Sequence, residues 1–429
     1  MLVSLSAREL GAWYVLQAFA ALVALLELGF SDSIVRAAGY AWAGARRLLA
    51  LGVEIVERPD ALAEGPPDPN LKLLADLSAS ARMLYRSISL LPLVLGVSGA
   101  LVAIRLPQFP RSTLTPQIPL CIVFLAGLSL ALWNGRWPAL LLGIGRVRES
   151  QQILAIAWLL YLVIGGSALV LGAGLWAFVL GYVCMDLSTR FLSRRAFLRL
   201  SGELPEGVAS GTVFRLIWPT AWRTSAVSMG YFMVSASTPM ICAATLGLEI
   251  TGTYGLSLQV GNLVVVLSSV WVQASIAQMN QLRAQGENRE IALLFVRNVR
   301  RSLPTFIILA VGLLGFGSRF LNILHAKTAL LDPPALAALL LILLLAMHHS
   351  LYATLVITEN RNPFVWPALI NGAAVLAMAF WLAPRFGIAG LLAATGVIPA
   401  LFANWWPVLR GIQGLGMRPG AYWSMFFKS

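Results

Sequence analysis

A hydrophobic pattern that opens the chain returns about halfway along it, and no other feature restricts the fold more. Near the start the chain reads Gly11-Ala12-Trp13-Tyr14, and later Gly252-Thr253-Tyr254-Gly255, each at the head of a long apolar segment. These positions lie 241 residues apart (252 − 11). A second landmark, Gly174-Leu175-Trp176-Ala177, matches Gly390-Leu391-Leu392-Ala393 at a distance of 216 (390 − 174). A duplicated helical chain accounts for both distances if its first half carries 25 extra residues between the landmarks (241 − 216). Internal repeats of this kind build membrane transporters. An apolar span precedes Gly252 while almost nothing precedes Gly11. The pattern therefore predicts a chain short of its first membrane helix, with Met1 at an internal start or truncation point.

Composition agrees with this class. Hydrophobic residues make up 59% of the 429 residues and charged residues 11%, against about 25% charged in an ordinary soluble domain. Mean hydropathy is +0.79. The excess of 31 Lys+Arg over 18 Asp+Glu would suggest nucleic acid in a soluble protein. In a membrane protein, positive cytoplasmic loops explain it and no nucleic-acid partner is implied. Cys121, Cys184 and Cys242 stand in or near apolar segments at no metal-ligand spacing and read as buried free thiols. Arg8 and Glu9 precede an apolar run long enough to span, so no cleavable signal is legible there.

Apolar runs bounded by charges or Pro/Gly clusters predict eleven spans. They lie near 11–29, 87–104, 115–135, 150–171, 174–189, 216–239, 251–276, 302–318, 334–357, 363–383 and 386–409. No run alternates apolar and polar residues as a membrane barrel strand would. The fold class is an all-α polytopic membrane protein, with two pseudo-repeated helical lobes around a central cleft. An N-terminal lobe of five spans would cover 1–200 and a C-terminal lobe of six 201–429. Of the 31 basic residues, 24 fall in 30–86, 136–149, 190–215, 277–301, 358–362 and the tail from 410, and six on the other side, with Arg223 inside a span. The first set is expected to be cytoplasmic, which puts the C-terminus inside.

The loop 30–86 is the one long cytoplasmic segment. An amphipathic helix is expected over Ser33–Val56, then a break from Arg58-Pro59-Asp60 to Gly65-Pro66-Pro67-Asp68-Pro69-Asn70, then a second helical stretch over Leu71–Leu84. This loop is where the extra residues of the first half would sit.

Three stretches carry a resemblance. Leu26-Glu27-Leu28-Gly29-Phe30-Ser31-Asp32-Ser33-Ile34-Val35-Arg36 ends the first span. Leu142-Gly143-Ile144-Gly145-Arg146 forms a short cytoplasmic turn. Thr253-Tyr254-Gly255-Leu256 is followed by an apolar run and by Ser275-Ile276-Ala277-Gln278-Met279. In this order the chain resembles the polysaccharide and O-antigen repeat-unit flippases, the oligosaccharide-exporter branch of the multidrug/oligosaccharidyl-lipid/polysaccharide flippase superfamily. The resemblance implies twelve or fourteen helices in two six-helix lobes, so eleven here is one fewer than expected. It also implies movement of an undecaprenyl-pyrophosphate-linked oligosaccharide across the bacterial inner membrane by alternating access. The partners it implies are that substrate, membrane lipids, and a glycan polymerase and glycosyltransferases of the same pathway. No cofactor or metal is implied.

Polar side chains inside spans need a reason to be there. Thr224, Ser228, Tyr231, Ser235 and Thr238 recur at steps of three and four, which places them on one helical face. Gln259, Asn262, Ser269 and Gln273 share a face in the next span, and Gln17 lies in the first. These residues read either as a wet wall for sugar hydroxyls or as ordinary interhelical hydrogen bonding. Arg223 could meet a pyrophosphate through charge-assisted hydrogen bonds or reach the headgroups. Glu27 could hold a coupling cation or pair with a neighbouring Arg. Asp186 and Arg190 are spaced to pair with each other. His348-His349 could relay protons or simply pack. Arg36, Arg146 and Arg148 form either a headgroup-attracting rim or the usual positive edge.

No phosphate-binding loop, metal cluster or nucleophile–base pair is legible, so the chain reads as a transporter and not an enzyme. A cation-coupled drug or metabolite antiporter of the same superfamily is the alternative. A membrane polymerase or ligase for lipid-linked glycans is disfavoured by the short outer loops.

Overall fold

The computed structural model describes residues 4–27, 29–45, 47–49, 52–54, 68–103, 118–202, 204–358, 363–417 and 419–428. Among them, nine helical stretches are long and apolar enough to cross a membrane by length and composition. α1 (Ala7–Leu25) and α2 (Phe30–Trp42) meet at 46° and make a tenth if taken as one broken span. The stretch Val365–Gly414 counts once, although Gly387 interrupts it with non-helical backbone. The expected spans 363–383 and 386–409 both fall within this stretch. Helices are the only way these long apolar runs can satisfy their backbone groups in lipid.

In the first half, α3 (Leu71–Ile88) and α4 (Leu91–Ala103) form one candidate span from Leu71 to Leu101. The helical stretch expected over Leu71–Leu84 leads directly into the membrane segment, as the sequence predicts. α5 (Ile118–Trp133) and α6 (Arg136–Gly143) form the next. α7 (Val147–Val170) and α8 (Leu175–Ser201) follow, and α8 carries a basic end beyond its apolar part.

The helix expected over 33–56 stops at Trp42. Gly44, at φ 81°, takes a left-handed turn that hardly any other residue adopts without strain. Ala45 then donates back to Tyr40 O at 3.0 Å and closes the helix end. Beyond it, β1 (Arg47–Leu49) and β2 (Gly52–Glu54) pair antiparallel, Leu48 opposite Val53. Most of the Pro/Gly/Asp break, residues 55–67, lies outside the described residues. Asn70 joins the two ends of the insertion. Its N–H donates to Ala41 O at 2.9 Å, its amide donates to Ala45 O at 2.9 Å, and its Oδ1 caps α3 by accepting from Leu73 N.

The second half comprises α9 (Gly211–Tyr231), a π-helical turn at Phe232–Ala236, α10 (Thr238–Leu246), α11 (Leu248–Gln273) and α12 (Ile276–Ala284). α13 (Asn288–Ile323), α14 (Pro333–Ile357), α15 (Val365–Phe402), α16 (Trp406–Gly414) and α17 (Pro419–Lys428) complete it. α13 has 36 residues, about 54 Å of helix at 1.5 Å per residue, well beyond the ~30 Å hydrocarbon core. Its first turns bury Ile291, Leu294, Phe295, Asn298 and Val299 along one side, while Arg289, Arg297 and Arg300 lie outside that stripe.

The repeat is visible in the backbone. Gly174 before α8 has φ 55° and ψ −129°, and Gly387 inside α15 has φ 60° and ψ −140°. Both conformations belong to glycine alone. The structural equivalent of Gly174 is therefore Gly387 and not Gly390, and the second offset is 213 (387 − 174). The first half then holds 28 extra residues (241 − 213). Between α2 and α3 lie residues 43–70, against 285–287 between α12 and α13. The extra length is concentrated at this junction.

Contacts divide the chain into two compact units. One comprises Met1–Ala18 with Met229–Ser429, the other Phe19–Ser228. The first turns of α1 group with the second half because they pack on α11 around Gly11 and Gly252. In the Phe19–Ser228 unit, Phe124 packs tilted against Tyr182 at 5.6 Å and Trp137 against Phe197 at 5.8 Å. In the other unit, Phe295 meets Tyr352 edge-on at 5.0 Å, and the Tyr352 and Tyr422 hydroxyls bond at 2.9 Å. Arg283 at the end of α12 donates to Asn288 Oδ1 at 2.8 Å, Gly414 O at 3.0 Å and Thr358 Oγ1 at 3.3 Å. Cys242 is buried, and Cys121 and Cys184 are half-buried.

Candidate functional site

α11 has two faces. Gly261, Val264, Ser268 and Val272 form a buried stripe. Away from it, Gln259, Asn262 and Gln273 are all exposed, interleaved with exposed Leu263, Val266 and Val270. The amide groups share one side, as their spacing predicts. Ser269 is half-buried and spends its hydroxyl on Val265 O at 2.8 Å within its own helix. Gln259 Oε1 accepts from Tyr14 Oη at 2.6 Å. Tyr14 approaches so closely because the neighbouring Gly255 leaves room for its ring. Gln17 is half-buried one turn further along α1.

The second expected strip, along 224–238, is not one continuous face. Ser228 and Tyr231 are exposed, Tyr231 at 72%, while Thr238 is buried at 1%. The π-helical turn between them adds a residue to the winding and rotates the later positions inward. Its cause is Pro239, which has no N–H for the carbonyl of Ser235. Thr238 Oγ1 donates to that carbonyl at 2.7 Å instead, and accepts from Tyr254 Oη at 3.1 Å. Ser235 gives its own hydroxyl to Tyr231 O at 2.8 Å. Thr224 is half-buried.

Of the remaining candidates, Arg36 and Arg223 are exposed, and the Arg223 guanidinium lies 6.0 Å from the Trp222 ring. Glu27 occupies the break between α1 and α2, where its Oε2 accepts from Tyr85 Oη at 3.2 Å. The Tyr85 ring is fully buried in space that a side chain at Gly135 would overlap. Arg190 pairs with Asp186 at 3.3 Å and donates to Ala131 O at 3.4 Å, within electrostatic range of Glu27. The partner of Glu27 that hydrogen-bonds to it is thus a phenol, with the expected Arg acting from further away. His349 Nδ1 lies 3.2 Å from Ala403 O, and the His348 ring packs on Tyr352 at 4.8 Å, which gives each histidine a packing role.

Gln17, Tyr231, Gln259, Asn262 and Gln273 belong to the unit built on the second half, and Glu27, Arg36, Arg223 and Ser228 to the Phe19–Ser228 unit. Within the first group, the three α11 residues share a face and Gln259 is tied to α1.

Two basic cavities escaped the sequence reading. In the Phe19–Ser228 unit a cavity of about 520 Å³ is lined by Arg82, Arg86, Met83, Ser87, Gly207 and Ala209. In the other, a cavity of about 690 Å³ is lined by Gln278, Leu282, Glu290, Arg297, Arg300 and Arg301 among others. Arg82 and Arg86 fall 215 residues before Arg297 and Arg301 (297 − 82, 301 − 86), close to the offset set by Gly174 and Gly387. The readable signal is the i,i+4 arginine pair on α3 and α13 with no acid at the intervening turn.

No family model matches the chain, and no curated protein matches its sequence. Solved structures do match. The chain resembles the inward-facing conformation of a multidrug resistance MATE family transporter of the MOP superfamily, with a TM-score of 0.67 at 12% identity, covering 97% of this chain and 93% of that one. A MATE mutant crystal structure matches with a TM-score of 0.50 at 14% identity, covering 97% and 91%. At these identities the likeness is one of fold. Apart from the short β1–β2 hairpin, the chain has the two-lobed, helical MATE-like transporter fold.

Proposed function

We propose that this protein moves a lipid-linked oligosaccharide, carried on undecaprenyl pyrophosphate, across the bacterial inner membrane by alternating access. The observation that carries the reading is the exposed amide face of α11. Gln259, Asn262 and Gln273 stand within a candidate membrane span without being buried by the fold. Such groups are costly against lipid and useful against a hydrated, hydroxyl-rich cargo. The fold likeness to a multidrug resistance MATE family transporter supports a transporter. Arg36 and Arg223, exposed and without a carboxylate partner in any ion pair among the described residues, suit the pyrophosphate. A glycan polymerase and glycosyltransferases are the partners such a cargo requires. In a cell that depends on this chain for surface glycan, Gln259→Leu with Asn262→Leu is expected to abolish the glycan while membrane insertion is unchanged. Full surface glycan in that variant would remove the site from consideration.

A second reading, a cation-coupled drug antiporter, is favoured by the likeness of fold to a multidrug resistance MATE family transporter. It requires a membrane carboxylate, and Glu27 is the candidate. Drug resistance that depends on a cation gradient and disappears in Glu27→Gln would select it over the first.

A further inference from the structure

Arg136 sits at the start of α6 with only 8% of its surface exposed. Its guanidinium lies 4.3 Å from the Trp137 ring centroid, and Arg194 from α8 approaches the same ring at 5.7 Å. Arg86 from α3 lies over Trp133 at 4.8 Å. Arg82, Arg86 and Arg194 all come close enough to repel the Arg136 charge. Three segments that sequence charge assigns to one side of the membrane thus converge on a single cluster of four guanidiniums.

Among the described residues of these helices, no acid pairs with this charge. α3, α6 and α8 contain two carboxylates between them, Asp76 and Asp186. Asp76 is held by Lys72 at 3.2 Å and by the Val208 N–H at 2.7 Å, and Asp186 by Arg190 at 3.3 Å. Arg136 Nε is buried with no hydrogen-bond partner among the described residues. A buried guanidinium donor left unmet among like charges is costly, and an anion would satisfy it.

The adjoining cavity is a built one. Lys72 Nζ donates to Glu206 O at 2.8 Å, Val208 N–H to Asp76, and Ser210 N–H to Ser80 Oγ at 3.1 Å, which fastens segment 204–210 along α3. Gly207 lies so close to Ala75 O that a Cβ there would overlap it. Exposed Met83, Leu90, Leu91 and Val94 continue from the cluster along α3 and α4 as an apolar strip. The corresponding cavity in the other unit differs in having Glu290 on its wall.

We propose that Arg82, Arg86, Arg136 and Arg194 form a binding site for a phosphate-ester anion of the kind an anionic phospholipid headgroup presents. Planar guanidiniums take phosphate oxygens in pairs, the indoles of Trp133 and Trp137 hold the guanidiniums in place, and the apolar strip suits acyl chains. The proposal stands independently of the transported cargo.

The test uses the full chain purified in an uncharged maltoside detergent, with the unfolding midpoint followed as phosphatidylglycerol, phosphatidylcholine or inorganic phosphate is added. Phosphatidylglycerol is expected to raise the midpoint of the unmodified protein and of Arg297→Gln/Arg301→Gln, and phosphatidylcholine to leave both unchanged. Arg82→Gln/Arg86→Gln, which alters exposed side chains only, should need about tenfold more phosphatidylglycerol for the same shift. Inorganic phosphate that reproduces the shift and competes with the lipid assigns the site to the phosphate group from either source. A response confined to phosphatidylglycerol assigns it to the lipid. Arg82→Gln/Arg86→Gln titrating like the unmodified protein with both probes overturns the proposal. So does an Arg136→Gln variant that loses stability in detergent alone yet keeps the full lipid response.

Discussion

Gly11 of α1 and Gly252 of α11 meet reciprocally: a Cβ on Gly11 would overlap the Leu248 carbonyl, and a Cβ on Gly252 would overlap the Ala7 carbonyl. Leu248 and Ala7 are separated by the same 241 residues as the two glycines (248 − 7). Equivalent residues of a duplicated chain therefore touch their own counterparts, as they do across the two-fold axis of a dimer. Small residues permit this backbone approach. Gly11→Ala and Gly252→Ala are each expected to cost about 1–3 kcal/mol through overpacking, read as a lower unfolding midpoint in detergent. Because both disturb one crossing, the double variant should lose less than the sum. Midpoints unchanged in both single variants would rule out the crossing.

The bond from Tyr14 to Gln259 adds a polar tie beside that crossing. A double-mutant cycle with Tyr14→Phe and Gln259→Leu should return a coupling of about 0.6 kcal/mol, the average for hydrogen bonds between membrane helices. Strictly additive effects would mean that the two side chains do not interact.

Thr238 serves two partners at once, the Ser235 carbonyl and the Tyr254 hydroxyl. Thr238→Val keeps the shape and strands both, so a loss of about 1–3 kcal/mol is expected. Thr238→Ser should retain most of the stability. If the Val and Ser variants unfold together, the hydroxyl has no such role.

Gly387 has open space around its Cα, with no atom within 4 Å of where a Cβ would stand. Gly387→Ala should therefore be costly through backbone conformation alone, about 1–3 kcal/mol. Gly390→Ala instead places a Cβ against the Leu382 carbonyl, so its cost arises from a clash. A Gly387→Ala midpoint equal to that of the unmodified protein would contradict the conformational cost.

The spans were legible because each is a long apolar run, and lipid leaves such a run no alternative to the helix. The amide face of α11 was legible for the same reason, since nothing interrupts that helix between Gln259 and Gln273. The 224–238 strip was misread because one proline, Pro239, shifts the winding a turn ahead of itself, and helical spacing counts through it unchanged. The displaced landmark has a similar origin. Gly387 and Gly390 look alike in sequence, and only the backbone angles separate them. The arginine cluster was hidden because its members come from three segments more than a hundred residues apart in all, and each segment taken singly reads as an ordinary positive edge.

Arg283 acts as a cross-brace. By fastening the end of α12 to the start of α13 and to the ends of α14 and α16, it makes four helix termini behave as the corner of one frame. A frame stiffened at its corners deforms at its joints. In the unit built on the second half, the π-helical turn at Phe232–Ala236 and the kink at Gly387 are two such joints among the described residues. Bending of this unit is expected to be taken up there, far along the chain from the residues that hold its corner.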